Sequence, residues 1–231
     1  MEVLNVEIYN NHIRQVKDFS LTCLSLEDKI KDFKYEGENR VKDDKVENLL
    51  LPPIALTFYS LVYDMGNAPS PDILIEEYLG QEDYFGYLPE DKVEVNYNGV
   101  LTVVSLEGLI ARILRTYPSL VRDLHFYLMA EESGLFEAVH YSFKEDYKGK
   151  VDIRVKYKDK WSNVGLLLGS KRSLFYRFKK RFRHKPVEVI YIELDKKDAN
   201  WVGDFMLYTK KHLNELWRSI KHNQSKAKMK S

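Results

Sequence analysis

Asp152 in KVDIRV and Lys171 in LLLGSK are the two residues of this chain best placed to do chemistry. The first stands in an alternating stretch, with Val151, Ile153, Val155 and Tyr157 facing one way and Asp152, Arg154 and Lys156 the other. The second closes a mostly apolar stretch. An acid and a lysine on neighbouring strands suit phosphodiester cleavage. The carboxylate holds a divalent cation that neutralises charge growing on the phosphate, and the lysine positions or activates the attacking water. Each has a plainer reading beside it. Asp152 can be a strand-face carboxylate paired with Arg154 or Lys156, and Lys171 a solvated residue opening a helix.

That helix is the next signal. KRSLFYRFKKRFRHK (171–185) carries eight Lys+Arg and no acid. Leu174, Phe178 and Phe182 recur every four residues with Phe175 beside them, which predicts a helix over 173–184 whose apolar edge faces a sheet. Arg172, Arg177, Lys179, Lys180, Arg181, Arg183 and Lys185 are then left to hold nucleic-acid phosphates. A solvated basic helix has the same pattern, and no base-edge readout follows from it.

The elements that must position these residues run from Ser119 to Asp195. Ser119–Glu132 has helical spacing, separated from an earlier helix at Ser105 by the proline of Thr116-Tyr-Pro-Ser. FEAVHYSF (136–143), VDIRVKY (151–157), WSNVGLLLGSK (161–171) and VEVIYIEL (187–194) read as strands, with Val189, Ile190 and Ile192 expected to be buried. A last helix is expected over 199–222, then a disordered basic tail. Upstream, Val3–Ile8 and Leu21–Leu24 read as strands and 25–47 as a charged helix or loop. Leu49–Asp64 reads as a buried helix entered at Pro52-Pro53. Ser70-Pro71-Asp72 starts another helix, and Asn98-Gly99 turns a hairpin over 92–104.

The order helix, strand, strand, strand, basic helix, strand over about a third of the chain resembles the core of the PD-(D/E)XK restriction-endonuclease-like superfamily. The resemblance implies an α/β fold with a restriction-endonuclease-like core at 105–222, added to a mostly helical acidic N-terminal region, 1–104, and followed by the tail 223–231. It implies Asp152 as metal ligand, Lys171 as the lysine that helps water, and Mg²⁺ or Mn²⁺ as cofactor where the site is active. Gly169 stands where the family carries Glu or Asp. Asp123, Glu131, Glu132, Glu137, Glu145 and Asp146 are the candidates to replace that acid.

Charge divides along the same line. Residues 1–150 carry 15 Lys+Arg and 27 Asp+Glu, net −12, whereas 151–231 carry 21 and 8, net +13. No Lys or Arg lies between Lys45 and Lys92, where nine acids do. DNA or RNA is therefore the partner expected for the second half, and a basic protein the partner at 47–91. Mutual neutralisation of the halves is the bland alternative. The lone Cys23 excludes an internal disulfide. No apolar run is long enough to span a membrane, and MEVLNVEIYNNHIRQ has no secretory pattern, so a cytoplasmic protein is expected. The six histidines show no metal spacing, GLLLGSK lacks P-loop spacing, and no serine has Gly-x-Ser-x-Gly context. Three functions follow: nucleic-acid binding with divalent-metal-dependent cleavage, a catalytically inactive nuclease-like binder, and an interaction protein that docks through its acidic half.

Overall fold

The computed structural model describes residues 5–7, 13–15, 21–35, 37, 40, 42–142, 151–169 and 188–228. In chain order its elements are β1 (Asn5–Glu7), β2 (Ile13–Gln15), α1 (Cys23–Ile30), α2 (Asp44–Asn48), α3 (Ile54–Met65), α4 (Pro71–Leu79), β3 (Phe85–Leu88), β4 (Lys92–Tyr97), β5 (Val100–Ser105), α5 (Leu106–Glu132), β6 (Ala138–Ser142), β7 (Ile153–Tyr157), β8 (Lys160–Leu168), β9 (Val189–Leu194), β10 (Asn200–Val202), β11 (Phe205–Leu207) and α6 (Lys210–Lys228). The protein is mixed α/β and divides into two units: 1–27 with 122–202 and 206–231, and 28–121 with 203–205. Among the described residues no helix is long and apolar enough to cross a membrane.

The unit containing 28–121 is built on local signals. Asp43 caps α2, its carboxylate accepting from Lys45 N at 2.9 Å and Val46 N at 3.3 Å. The same carboxylate accepts the Ser105 hydroxyl at 3.0 Å, and Ser105 Oγ accepts from Gly108 N at 3.0 Å, which ties the start of α5 to α2. Arg112 donates to Val46 O and Leu49 O, and Arg115 pairs with Glu47. Ser70 accepts from Ile73 N with Pro71 in the first turn, as expected. Tyr78 closes the packing, its hydroxyl donating to Pro52 O at 2.6 Å. β3, β4 and β5 form an antiparallel sheet, and Asn98 (φ 54°) and Gly99 (φ 77°) make the tight turn.

The other unit holds the six-stranded sheet, ordered β2-β1-β6-β7-β8-β9. β6, β7 and β8 are antiparallel neighbours, and β9 lies parallel to β8 with Val164 opposite Ile190. β1 pairs parallel with β6. Val139, Tyr141, Ile153, Val155, Val164, Ile192 and Leu194 are buried, as are Leu213, Leu216 and Ile220 of α6. A parallel pair needs a long crossover. Here it is 170–187, so the expected helix over 173–184 lies outside the described residues.

Several expectations are corrected. Pro118 does not break a helix; α5 runs through it. Losing one helical N–H and crowding the turn costs about 3 kcal/mol. Burial of Tyr117, Leu120 and Val121 stabilises by roughly 1.5–3 kcal/mol each, which is more. Leu21–Leu24 is no strand. Thr22 and Ser25 exchange backbone-to-hydroxyl bonds of 2.8 and 3.1 Å, and that reciprocal cap starts α1. The helix expected from 199 begins at Lys210, because Gly203 turns left-handed (φ 53°) between β10 and β11. It then continues to Lys228, through residues expected to be disordered, since Lys, Gln and Ala favour helix and no Gly or Pro intervenes. Val189 and Ile190 are half-buried rather than buried, because β9 is the edge strand.

Candidate nucleic-acid interface

Asp152 stands one residue before β7. Its N–H donates to Val164 O at 2.9 Å, and its carboxylate Oδ2 accepts from the N–H of Leu166. The side chain thus takes the place of a backbone carbonyl where the β7–β8 ladder ends. Lys156 is not its partner: that ammonium faces Asp159 at 3.1 Å and Glu137 at 3.7 Å. Arg154 lies 5.1 Å from the Trp161 ring.

Gly169 has a physical reason. A Cβ built there would lie 2.5 Å from Asp195 Oδ1 and 3.3 Å from Leu194 O. Asp195, just past the end of β9, thus occupies the space that a side chain at Gly169 would need. Asp195 and Asp152 stand beside different residues at the end of β8. They flank β8 from opposite sides, beside Gly169 and Leu166 respectively, and three residues of strand span about 10 Å.

The other candidate acids are largely employed elsewhere. Glu131 accepts from Val139 N at 3.0 Å, Glu132 from Cys23 N at 2.6 Å, and Glu137 from Asp159 N at 3.1 Å. Asp123 is different. Burial pushes the Tyr208 phenol above its ordinary pKa, and the charges of Asp123 and Asp152 add to the push, so both bear on one phenol. That hydroxyl donates to Leu167 O at 3.1 Å. Among the described residues no group of three or more His, Cys, Asp or Glu could hold a metal ion.

Lys171, Arg172, Arg177, Lys179, Lys180, Arg181, Arg183 and Lys185 lie outside the described residues, as do Glu145 and Asp146. Within them, a second group of cations gathers at the β7–β8 turn: Lys158, Lys160 and Lys221. No spacing in the sequence links residue 158 to residue 221; the lack of acids on α6 apart from Glu215 was the one available sign.

Cys23, Glu27, His125 and Glu132 form a polar group in which His125 is buried, Cys23 and Glu27 are half-buried and Glu132 is exposed. Burial, then Glu132 and Glu27, push the thiol above its usual range, so it stays protonated. His125 is pulled below 6.5 by burial, against the opposing pull of Glu27, which its Nε2 meets at 2.9 Å.

Family models, curated proteins and solved structures were all compared with this chain, and none matches it.

Proposed function

We propose that this chain is a nucleic-acid-binding protein built on a restriction-endonuclease-like frame, and that it grips nucleic acid rather than cutting it. Two observations support the frame and the partner. Helix α5 leads into three antiparallel strands and a fourth parallel one. The half beyond residue 150 carries net +13. Lys and Arg in such excess bind phosphate backbones by releasing counterions. The single observation that favours gripping over cutting is Asp152, whose carboxylate holds the N–H of Leu166.

The test is fluorescence anisotropy with labelled single- and double-stranded DNA and RNA across a salt series. Affinity should fall steeply with salt. Arg177→Glu, Lys180→Glu and Arg181→Glu together should weaken binding far more than the same change at Lys29, Lys31 and Lys34. Equal losses, or no binding at low salt, would sink the reading. A nuclease assay with Mg²⁺ or Mn²⁺ beside Asp152→Ala decides the catalytic arm. Cleavage that needs metal and disappears in the variant would turn the proposal from gripping to cutting.

A second reading has its own observation. Leu101 (60% exposed), Val103 and Leu88 lie open on the β3–β5 sheet, in a region where Glu90, Asp91 and Glu94 supply negative charge. A basic protein docking on the 47–91 region would suit that surface. Capture of a defined basic protein by the full chain, abolished by Leu101→Asp, is its measurement.

A further inference from the structure

The β7–β8 hairpin and the last turns of α6 enclose a shallow basin of about 130 Å³, lined by Tyr157, Lys158, Lys160, Lys221, Gln224 and Ser225. Its size suits a single ionic group, since pockets for whole small molecules run to about 300–1,000 Å³. Its lining holds three ammonium groups and no acid.

The way these cations are held matters more than their number. Lys221 Nζ sits 4.0 Å from the Trp217 ring centroid, and Lys158 Nζ 5.5 Å from that of Tyr157. An aromatic face positions an ammonium without cancelling its charge. A carboxylate would do both. The one acid of the turn, Asp159, is drawn to Lys156 at 3.1 Å and is not among the lining residues. Gln224 Nε2 donates to Tyr157 O at 2.8 Å, which fixes α6 against the hairpin and sets Lys221 opposite Lys158 and Lys160. The helix C-terminus brings an opposing partial charge of roughly −0.5, which three full positive charges outweigh.

The turn holds Lys158 (φ 50°) and Asp159 (φ 58°) in the left-handed conformation, as the β3–β4 turn holds Glu90 (φ 60°) and Asp91 (φ 51°), so it is the cations and their ring contacts that mark the basin.

We infer that this basin is a phosphate-binding site that takes a backbone phosphate of nucleic acid, at a place separate in sequence from the 171–185 segment. This rests on the nucleic-acid reading above. Lys158 and Lys221 meet the anion from two sides, Lys160 reinforces them, and the Tyr157 and Trp217 rings keep the ammonium groups in place.

The experiment uses the full chain in the same anisotropy salt series. Lys158→Glu, Lys160→Glu and Lys221→Glu together should lose 10-fold or more in affinity near 0.1 M salt. The slope of log affinity against log salt should fall by about 2 to 3 on duplex DNA, near 0.9 for each phosphate that the protein no longer neutralises. Lys196→Glu, Lys197→Glu and Lys210→Glu change the net charge equally and should leave the slope within about 1 of wild type. A milder pair, Lys160→Gln with Lys221→Gln, should show a proportionate part of the slope change and guards against misfolding of the triple. If both triples behave alike while the 177/180/181 reversal abolishes binding, the basin proposal is overturned and the nucleic-acid reading stands. No nucleic-acid binding by wild type overturns both. If inorganic pyrophosphate alone titrates the basin while the basin triple keeps full nucleic-acid affinity, the site belongs to a free phosphate compound and the nucleic-acid occupant is wrong.

Discussion

Three hairpins in this protein turn through two successive left-handed residues with different amino acids: Glu90-Asp91 (φ 60° and 51°), Asn98-Gly99 and Lys158-Asp159. At Asn98-Gly99 the φ values are 54° and 77°; at Lys158-Asp159 they are 50° and 58°. Asn98 and Gly99 are the residues the conformation favours, because Gly has no Cβ to clash and Asn tolerates the region. Lys158 and Asp159 are not. The difference is one of surroundings: Asn98 and Gly99 stand at the tip of the β4–β5 hairpin, whereas Lys158 lines the basin beside α6. Where nothing but the chain reversal is needed, the backbone chooses the residue. At Lys158-Asp159, as at Glu90-Asp91, that preference is overruled, and at Lys158 the residue supplied is a cation.

Exchanging the turns tests that contrast. Asn98→Lys with Gly99→Asp should destabilise by about 1–2 kcal/mol, because two residues with bulky or charged side chains must hold left-handed backbone. Chemical denaturation reads it, and an unchanged midpoint would break the comparison. The reverse exchange, Lys158→Asn with Asp159→Gly, should stabilise by about 1 kcal/mol on the same argument. It should also weaken nucleic-acid binding about threefold or more, through removal of the Lys158 charge. A gain in stability with no weakening of binding would mean the lysine is there for no reason the basin supplies.

Gly169 extends the contrast to a further position, where room rather than left-handed backbone is the constraint. Gly169→Ala should cost about 1 kcal/mol through crowding against Asp195 and Leu194 O. Asp195→Ala should recover most of that in the double variant, leaving the Leu194 carbonyl at 3.3 Å as the remainder. Simple additivity of the two changes would show that Asp195 is not what Gly169 makes room for.

The smallest expected effect separates the two units by pH. All six histidines lie outside 28–121 and 203–205. Burial pulls both His125 and His212 below 6.5. The folded state therefore resists a proton that the unfolded chain accepts. Their contribution is complete above pH 6.5 and declines as pH falls below it. The denaturation midpoint should drop between about pH 7.5 and 5.5, and His125→Gln should shallow the drop. A midpoint that rises on acidification would contradict the sign.

Much of the fold was legible along the chain. Ser70-Pro71, Pro52-Pro53 and Asn98-Gly99 each state a local backbone geometry in two residues, and each geometry forms where those residues stand. The strands expected at 136–143, 151–157, 161–171 and 187–194 are visible as alternation and apolar runs, and strands form there over Ala138–Ser142, Ile153–Tyr157, Lys160–Leu168 and Val189–Leu194 and pair in sequence order. The proline in α5 misled, because a local rule lost to the burial of Tyr117, Leu120 and Val121. The site was less legible than the fold. Asp152 is the same residue whatever its carboxylate meets, and only strand pairing, which closes its 14-residue separation from Leu166, brings that N–H to it. Gly169 looks like a missing acid until the parallel register sets Asp195 beside it.

The amino-acid sequence alone determined the charge division, the turns, the caps and the order of strands, since each depends on neighbours a few residues apart. Tertiary structure decided which groups meet: Asp152 with Leu166, Gly169 with Asp195, Lys158 with Lys221. Such meetings depend on strand register and on where a helix lands. A shift of one residue along a strand moves every side chain to the other face, and no local pattern encodes that choice.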